Sequence, residues 1–434
     1  MSQHSKWAVL VLIISYQCIS LHVWADEPST QPAATAPASQ PASAGAPASQ
    51  PASQPAAAAE TAWPPGLWMD ALGALKAKDA VDAMGLRFWG FVETSFMGRL
   101  TGGQNPLPGR VFDARRPNEL RLNQLRLTAE RPYDANKDFD FGFRIDGLYG
   151  GDAQVTHSLG LFDQAGHQGS DNWADLLQGY GQIWFKTGKE SGLETTFGKW
   201  VTPMGYEVID APFNALYSHS FLFGYAIPFT NTGLKMNYIW NSQVSTYFAI
   251  VEGWDVWHDN NHAVSYMFGT AITSKEKVGD AARDSLNLNI ITGPEQPAKV
   301  RPYRTVVDAS YTHRWSDKLM QTINGDFGTE YVGGDVGQAD WYGLAHYLTY
   351  YFNDYVNATW RSEWFRDQGG TRTGVNAAYF ENTWGVTLTP FPKDKILKNL
   401  SFRPELRWDF ADQPAFGDDH YNQLTLGLDA IIKF

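Results

Sequence analysis

From Leu86 to the end of the chain, apolar and polar side chains alternate residue by residue in segments of about 10 to 14 residues. Leu400, Phe402, Pro404, Leu406, Trp408 and Phe410 share one parity; Ser401, Arg403, Glu405, Arg407 and Asp409 share the other. Segment 138–146 sets Phe139, Phe141, Phe143 and Ile145 against Asp138, Asp140, Arg144 and Asp146, and 356–364 sets Val356, Ala358, Trp360 and Trp364 against Asn357, Thr359, Arg361 and Glu363. Successive side chains of a strand point to opposite faces, so each segment is a strand with one oily and one wet face. Soluble sandwiches use strands of about 5 to 6 residues. Segments this long suit a tilted strand crossing hydrocarbon, which needs about 9 to 11.

About sixteen such segments are countable between residues 86 and 434, an even number that brings both ends of a closed barrel to one side. The connections alternate as well. Stretches 100–117, 150–176 and 202–229 are long, whereas "NSQ", "SDK" and "ND" are tight; "SKEKVGDAARD" in the eighth connection breaks the rule and leaves the register there open. With the apolar face outward, Trp, Tyr and Phe near strand ends supply interfacial girdles and the charged face lines a lumen. Closure pairs every backbone group, as a hydrocarbon environment demands. The expectation for 85–434 is an all-β, transmembrane antiparallel barrel.

Ahead of it, Lys6, the run "WAVLVLII" and Val23-Trp24-Ala25 read as a signal peptide over 1–25. Residues 26–62 are rich in Pro, Ala and Ser with "PASQ" recurring, a disordered periplasmic linker. Over 63–84, Trp68, Leu72, Leu75 and Val81 recur at helical spacing, a short amphipathic helix. Cys18, the only cysteine, lies inside the leader, which excludes disulfides, thiol chemistry and Cys-based metal sites from the exported chain. A net charge of −12 argues against nucleic acid as a partner. The final strand "LTLGLDAIIKF" ends on Phe434, similar to the signal read by the bacterial barrel-insertion machinery.

"MGLRFWGFVETSF" (84–96), "FGKWVTPMGYE" (197–207), "SHSFLFGYAIPFTNTGLKMNY" (218–238) and "LNLNIITGPE" (286–295) resemble the OmpL-like family of β-barrel porins, and the similarity runs from about Trp68 to Phe434. The resemblance implies a diffusion channel of the bacterial outer membrane, surrounded by lipid and lipopolysaccharide, and a possible homotrimer. The family pattern often places Arg in the Ser-x-Ser segment, where this chain has His219, so no ion preference is carried over.

The wet parity nominates Arg121, Arg126, Asp140, Arg144, Asp146, Arg361, Glu363, Arg403, Glu405, Arg407 and Asp409 as pore-lining. Opposite charges there can face each other across adjacent strands. The apolar parity of the second strand shifts between Leu122 and Leu125, so inward placement of Arg121 and Arg126 requires a bulge near Asn123. The loop 202–229, with Pro203, Gly205, Tyr206, Glu207 and His219, is the candidate constriction. Catalytic residues are not assigned: His157-Ser158, His219-Ser220 and His313 lack a Gly-x-Ser-x-Gly elbow. No cofactor or metal is assigned either, since His258 to His262 has no ligand frame. The reading is passive diffusion of small hydrophilic solutes or ions. Two alternatives stand beside it: a channel selective for sugars or small anions, with Tyr180 and Trp184 as a greasy track, and a structural barrel tethering the envelope.

Overall fold

The computed structural model describes residues 78–103, 117–163, 171–394, 397–417 and 419–434. The signal peptide, the linker and the first part of the expected helix lie outside them; Lys78–Ala83 is α-helical. No described helix is long and apolar enough to cross a membrane.

Sixteen strands close into one antiparallel barrel. The first half comprises β1 (Arg87–Thr101), β2 (Leu120–Arg131), β3 (Phe139–Gly150), β4 (Trp173–Lys186), β5 (Gly192–Val201), β6 (Thr230–Ile239), β7 (Val244–Val251) and β8 (Ser265–Thr273). The second comprises β11 (Asp284–Pro294), β12 (Tyr303–Arg314), β13 (Leu319–Gly333), β14 (Gly337–Asn353), β15 (Val356–Gln368), β16 (Ala378–Leu388), β17 (Leu400–Ala411) and β18 (Asn422–Lys433). Two-residue strands β9 (Lys277–Val278) and β10 (Ala281–Ala282) pair in a separate hairpin that occupies the eighth connection, so its extra length is folded and the register on either side is kept.

Each barrel strand pairs with its neighbours in the chain, and β1 meets β18 at the seam. There Gly90 and Phe434 exchange two backbone hydrogen bonds of 2.9 Å. The final strand therefore seals the barrel down to its last residue, and a Cβ at Gly90 would lie 2.7 Å from the Phe434 ring and 2.3 Å from the Arg126 carbonyl.

The two faces are inverted relative to a soluble protein. Leu426, Phe141 and Trp384 are each about half exposed, while Gln124, Asp146, Arg407 and Asp429 are fully buried. Exposed large apolar residues beside buried charges are what an apolar solvent outside the barrel selects. The expected bulge in β2 is present: Glu93 pairs with Gln124 and Thr94 with Leu122, leaving Asn123 as the extra residue. A second bulge at Leu177 lies opposite Asp146 and Gly147 and breaks the alternation of β4, which begins at Trp173. Strand β7 stops at Val251, beyond which Gly253 and Asp255 take positive φ and turn the chain into a loop.

Candidate functional site: the barrel interior and its inserted loop

The long connection between β5 and β6 turns into the barrel. Its ends are tied by the Thr202 amide donating to the Phe229 carbonyl at 2.9 Å. Just before it, Gly198 and Gly233 pair across the two strands, both at positive φ (124° and 156°), where a Cβ would meet backbone carbonyls at 2.3 and 2.1 Å. Only glycine fits both.

A loop inside a barrel carries backbone groups that no ladder satisfies, and each unpaired buried group costs about 1 to 3 kcal/mol. Here the inward charged residues of the wall take that role. Arg403 donates through one nitrogen to the carbonyls of Ala211, Asn214 and Leu216, each at 2.8 Å, and Arg407 donates to the His219 carbonyl at 2.5 Å. Arg361 donates to the Ser218 carbonyl at 2.6 Å and to Glu207 at 2.7 Å. Glu405 accepts the amides of Tyr217 and Ser218 at 3.0 and 3.1 Å, and Glu363 accepts those of Phe221 and Leu222 at 2.7 Å through separate oxygens. On β2, Gln124 donates to the Ile209 carbonyl at 2.8 Å, and Arg126 lies 3.5 Å from Asp210.

Behind these anchors each arginine keeps an acidic partner on the wall. Arg403 faces Asp429, its cross-strand neighbour, at 3.0 to 3.1 Å; Arg361 reaches Glu381 at 2.9 Å, Arg407 reaches Asp409 at 2.9 Å, and Arg126 reaches Asp146 at 2.5 Å. The carboxylates fix the guanidinium planes, and the guanidinium edges hold the loop.

The second half of the loop is apolar. Phe221, Leu222, Phe223, Ala226, Ile227 and Phe229 are all at most 3% exposed, and a π-helical turn spans Leu222–Ala226. Phe221 packs on Tyr379 (ring centroids 4.9 Å apart), and Trp341 donates to the Ala226 carbonyl at 3.1 Å. Arg372, from the connection between β15 and β16, lies over the rings of Trp254 and Trp341 and donates to the Tyr225 carbonyl at 2.7 Å. A hydrophobic core thus fills the barrel interior at the level of the loop.

The other nominated residues fall into place around this insertion. Arg121 pairs with Ser95 on the inner face and touches Gly151. Asp140 bonds the Asp134 amide and Arg131 near the tight turn after β2. Arg144 lies over Trp89 and reaches Asp146 at 2.9 Å. Pro203 gives its carbonyl to Asn289, Gly205 sits at φ 86°, and Tyr206 donates its amide to Asn324 while its ring packs on Tyr347. His219 is buried, bonded through its ring to Asn214 and the Val208 carbonyl and stacked on Phe223. Trp184 is buried against Tyr133, and Tyr180 lies on the same inner face. At 259–262, Asp259 accepts the amides of Asn261 and His262, which makes a turn.

Burial disfavours ionisation of Glu207, but Arg361, His219 and the Ser220 amide and hydroxyl outweigh it and hold the carboxyl below its ordinary range. Asp210 goes the other way: burial raises it, and Arg126 only partly offsets the rise. Glu207 is the charged end of the loop's anchor.

Sequence reading did not single out Gln124, Glu381, Asp429, Asp308, Asp326, Asn289 or Asn324. All lie on the wet parity of their strands, so the alternation that exposed the others carried a signal for these too; which of them would meet the loop depends on how it folds.

A membrane-spanning β-barrel with a long loop inserted into its interior defines an outer-membrane channel of the porin type. The chain belongs to the family described as putative beta-barrel porin-2, OmpL-like, whose model matches residues 85–434. Its fold is similar to that of the outer membrane channel DcaP of Acinetobacter baumannii (13% identity, TM-score 0.54, covering 80% of this chain and 97% of that one). It is also similar to OprB of Pseudomonas putida in a high-pH structure (13% identity, TM-score 0.50, covering 82% and 96%). Comparison with the sequences of curated proteins gives no match.

Proposed function

We propose that this chain sits in the bacterial outer membrane and passes small hydrophilic solutes or ions down their own gradient, with the 202–229 loop as its constriction and gate. The observation that carries the reading is that loop, tied at mid-barrel by Arg361, Arg403, Arg407, Glu363 and Glu405. Its position lets it set what passes, because any solute crossing the bore must move past it. The packed apolar segment 221–229 supports a bore that is closed or very narrow in this conformation. No covalent chemistry is part of the reading.

Self-association belongs to the same proposal. Gln321, His346, Ser362 and Asn382 form a polar row on the outward face of β13 to β16: His346 pairs with Ser362, Ser362 with Asn382, and Gln321 bonds the His346 ring at 2.9 Å. Polar side chains in hydrocarbon are costly, and a homotrimer that covers this face removes the cost.

Planar-bilayer recording of the purified barrel tests the channel. Discrete conductance steps support it. A folded, heat-modifiable barrel that stays silent, both in the wild type and after the loop is loosened, overturns it in favour of a structural barrel.

A further inference from the structure

One rung of the inner wall lacks the charge balance found elsewhere. Asn289, Asp308, Asp326 and Gly343 are cross-strand neighbours on β11, β12, β13 and β14. Directly paired residues on one face of a sheet have their Cβ atoms about 4.5 to 5.5 Å apart, so the carboxyl groups of Asp308 and Asp326 adjoin. Both are buried, Asp308 at 0% and Asp326 at 6% exposure.

Asp308 is held in place by the loop, whose Gly205 amide bonds it, and by two amide side chains of the wall. Asn289 donates to one of its oxygens at 2.7 Å and Asn324 to the other at 2.8 Å. The same amides are themselves fixed, since Asn289 accepts from the Tyr247 hydroxyl at 3.0 Å and Asn324 from the Tyr206 amide at 3.2 Å. Asp326 is different: among the described residues neither of its oxygens receives a hydrogen bond from an amide, hydroxyl or basic donor, and its partner within hydrogen-bond reach is the Asp308 carboxyl.

Among the described residues neither aspartate forms an ion pair, whereas Asp146, Glu381, Asp409, Asp429 and Glu330 each face an arginine. The rung on one side is apolar, Ile291, Val306, Gly328 and Trp341; on the other it is Asn287, Ser310, Asn324 and Ala345, which leads to Glu363, a further acid. Two adjacent acceptor-only groups in such a place require a positive species between them. Asp326 offers its lone pairs and Asp308, with three donors already on it, keeps one, an all-oxygen donor set that hard metal cations prefer.

We propose that Asp308 and Asp326 form a binding site for a small hard cation on the inner wall of the barrel, with Asn289 and Asn324 positioning Asp308 and water completing the shell. The site does not depend on the channel reading, and its test does not use conduction. The full barrel is folded in detergent, and the midpoint of its heat-modifiable gel shift is measured in N-methylglucamine chloride and after replacement by sodium, magnesium or calcium chloride at constant ionic strength. A cation that binds only the folded state raises the midpoint with the logarithm of its concentration. The expected result is such a rise in the wild type with one of these cations, and its loss in both Asp326→Asn and Asp308→Asn. Asp326→Asn, which removes charge at nearly constant shape, melts no lower than the wild type in the cation-free buffer. An equal response of wild type and variants overturns the site, because it reports general screening. A wild type indifferent to all three metals and stabilised only by acid also overturns it, because a proton then bridges the pair.

Discussion

Arg361→Met is the sharpest probe of the loop as a gate. Methionine fills most of the volume and supplies no donor. The arginine is fully buried and donates to Glu207 at 2.7 Å, the Ser218 carbonyl at 2.6 Å, the Ser218 hydroxyl at 3.0 Å and Glu381 at 2.9 Å. Removing one partner of a buried pair costs about 3 to 5 kcal/mol, because the remaining charge is left alone. Part of that cost falls on the wall at Glu381. The loop bears the contacts to Glu207 and Ser218, charge-assisted bonds worth about 1.5 to 3 kcal/mol each. A loss of about 3 kcal/mol from the inserted state multiplies the displaced-loop population by about 100-fold, since 1.4 kcal/mol is a factor of ten. Single-channel recording in planar bilayers should therefore show large-conductance events about a hundred times more often than in the wild type. The double variant Glu207→Gln/Arg361→Met should recover part of the loss, since it no longer buries a lone carboxylate at that position. If Arg361→Met yields a heat-modifiable barrel whose event amplitudes and frequencies match the wild type, the guanidinium does not hold the gate and the argument fails.

Glu363→Gln leaves one acceptor oxygen for the two amides of Phe221 and Leu222, so it should loosen the π-helical turn by about 1.5 to 3 kcal/mol, read as faster protease cleavage within 221–229 while the barrel stays folded. Acidification should act through Glu207. Its pKa is lowered in the folded loop, so its contribution is complete above the ordinary glutamate value near 4.3 and is lost as pH falls through the lower folded value. Conductance should therefore show a step below about 4.3 that Glu207→Gln removes, and an acid limb identical in the variant would count against the assignment. Gly90→Val places a side chain against the Phe434 ring and the Arg126 carbonyl, and should abolish the heat-modifiable band by preventing seam closure.

The barrel was largely legible in the sequence because hydrocarbon on one face and a polar interior on the other impose a period of two on every strand. Even the bulge at Asn123 showed as a break in that period between Leu122 and Leu125. Strand ends are less legible where a bulge breaks the alternation: Leu177 is apolar and points inward into the core, so the residues before it in β4 read as the wrong parity. The loop was legible as long and as carrying Pro203, Gly205 and Glu207, and that was all. Nothing in a list of inward arginines distinguishes side chains facing water from side chains bonded to a loop's carbonyls, because both need the same residue type on the same parity.

That ambiguity has a physical origin. Irregular backbone at membrane depth is tolerated only where protein or water satisfies its amides and carbonyls. Here the loop brings an apolar stretch, 221–229, into an interior whose wall is charged, and its exposed backbone groups fall to the wall to satisfy. Arginine suits carbonyls because its planar fork serves several at once, as Arg403 does for Ala211, Asn214 and Leu216; glutamate suits paired amides, as Glu363 and Glu405 do. Each wall arginine then needs a carboxylate behind it to stay affordable when buried, which accounts for Asp429, Glu381 and Asp409. The inner charges of this half of the barrel are thus set by the loop's backbone. At the pair Asp308 and Asp326 the loop gives its Gly205 amide to Asp308, but among the described residues no donor reaches Asp326, which lies outside that logic and for that reason calls for a ligand of its own.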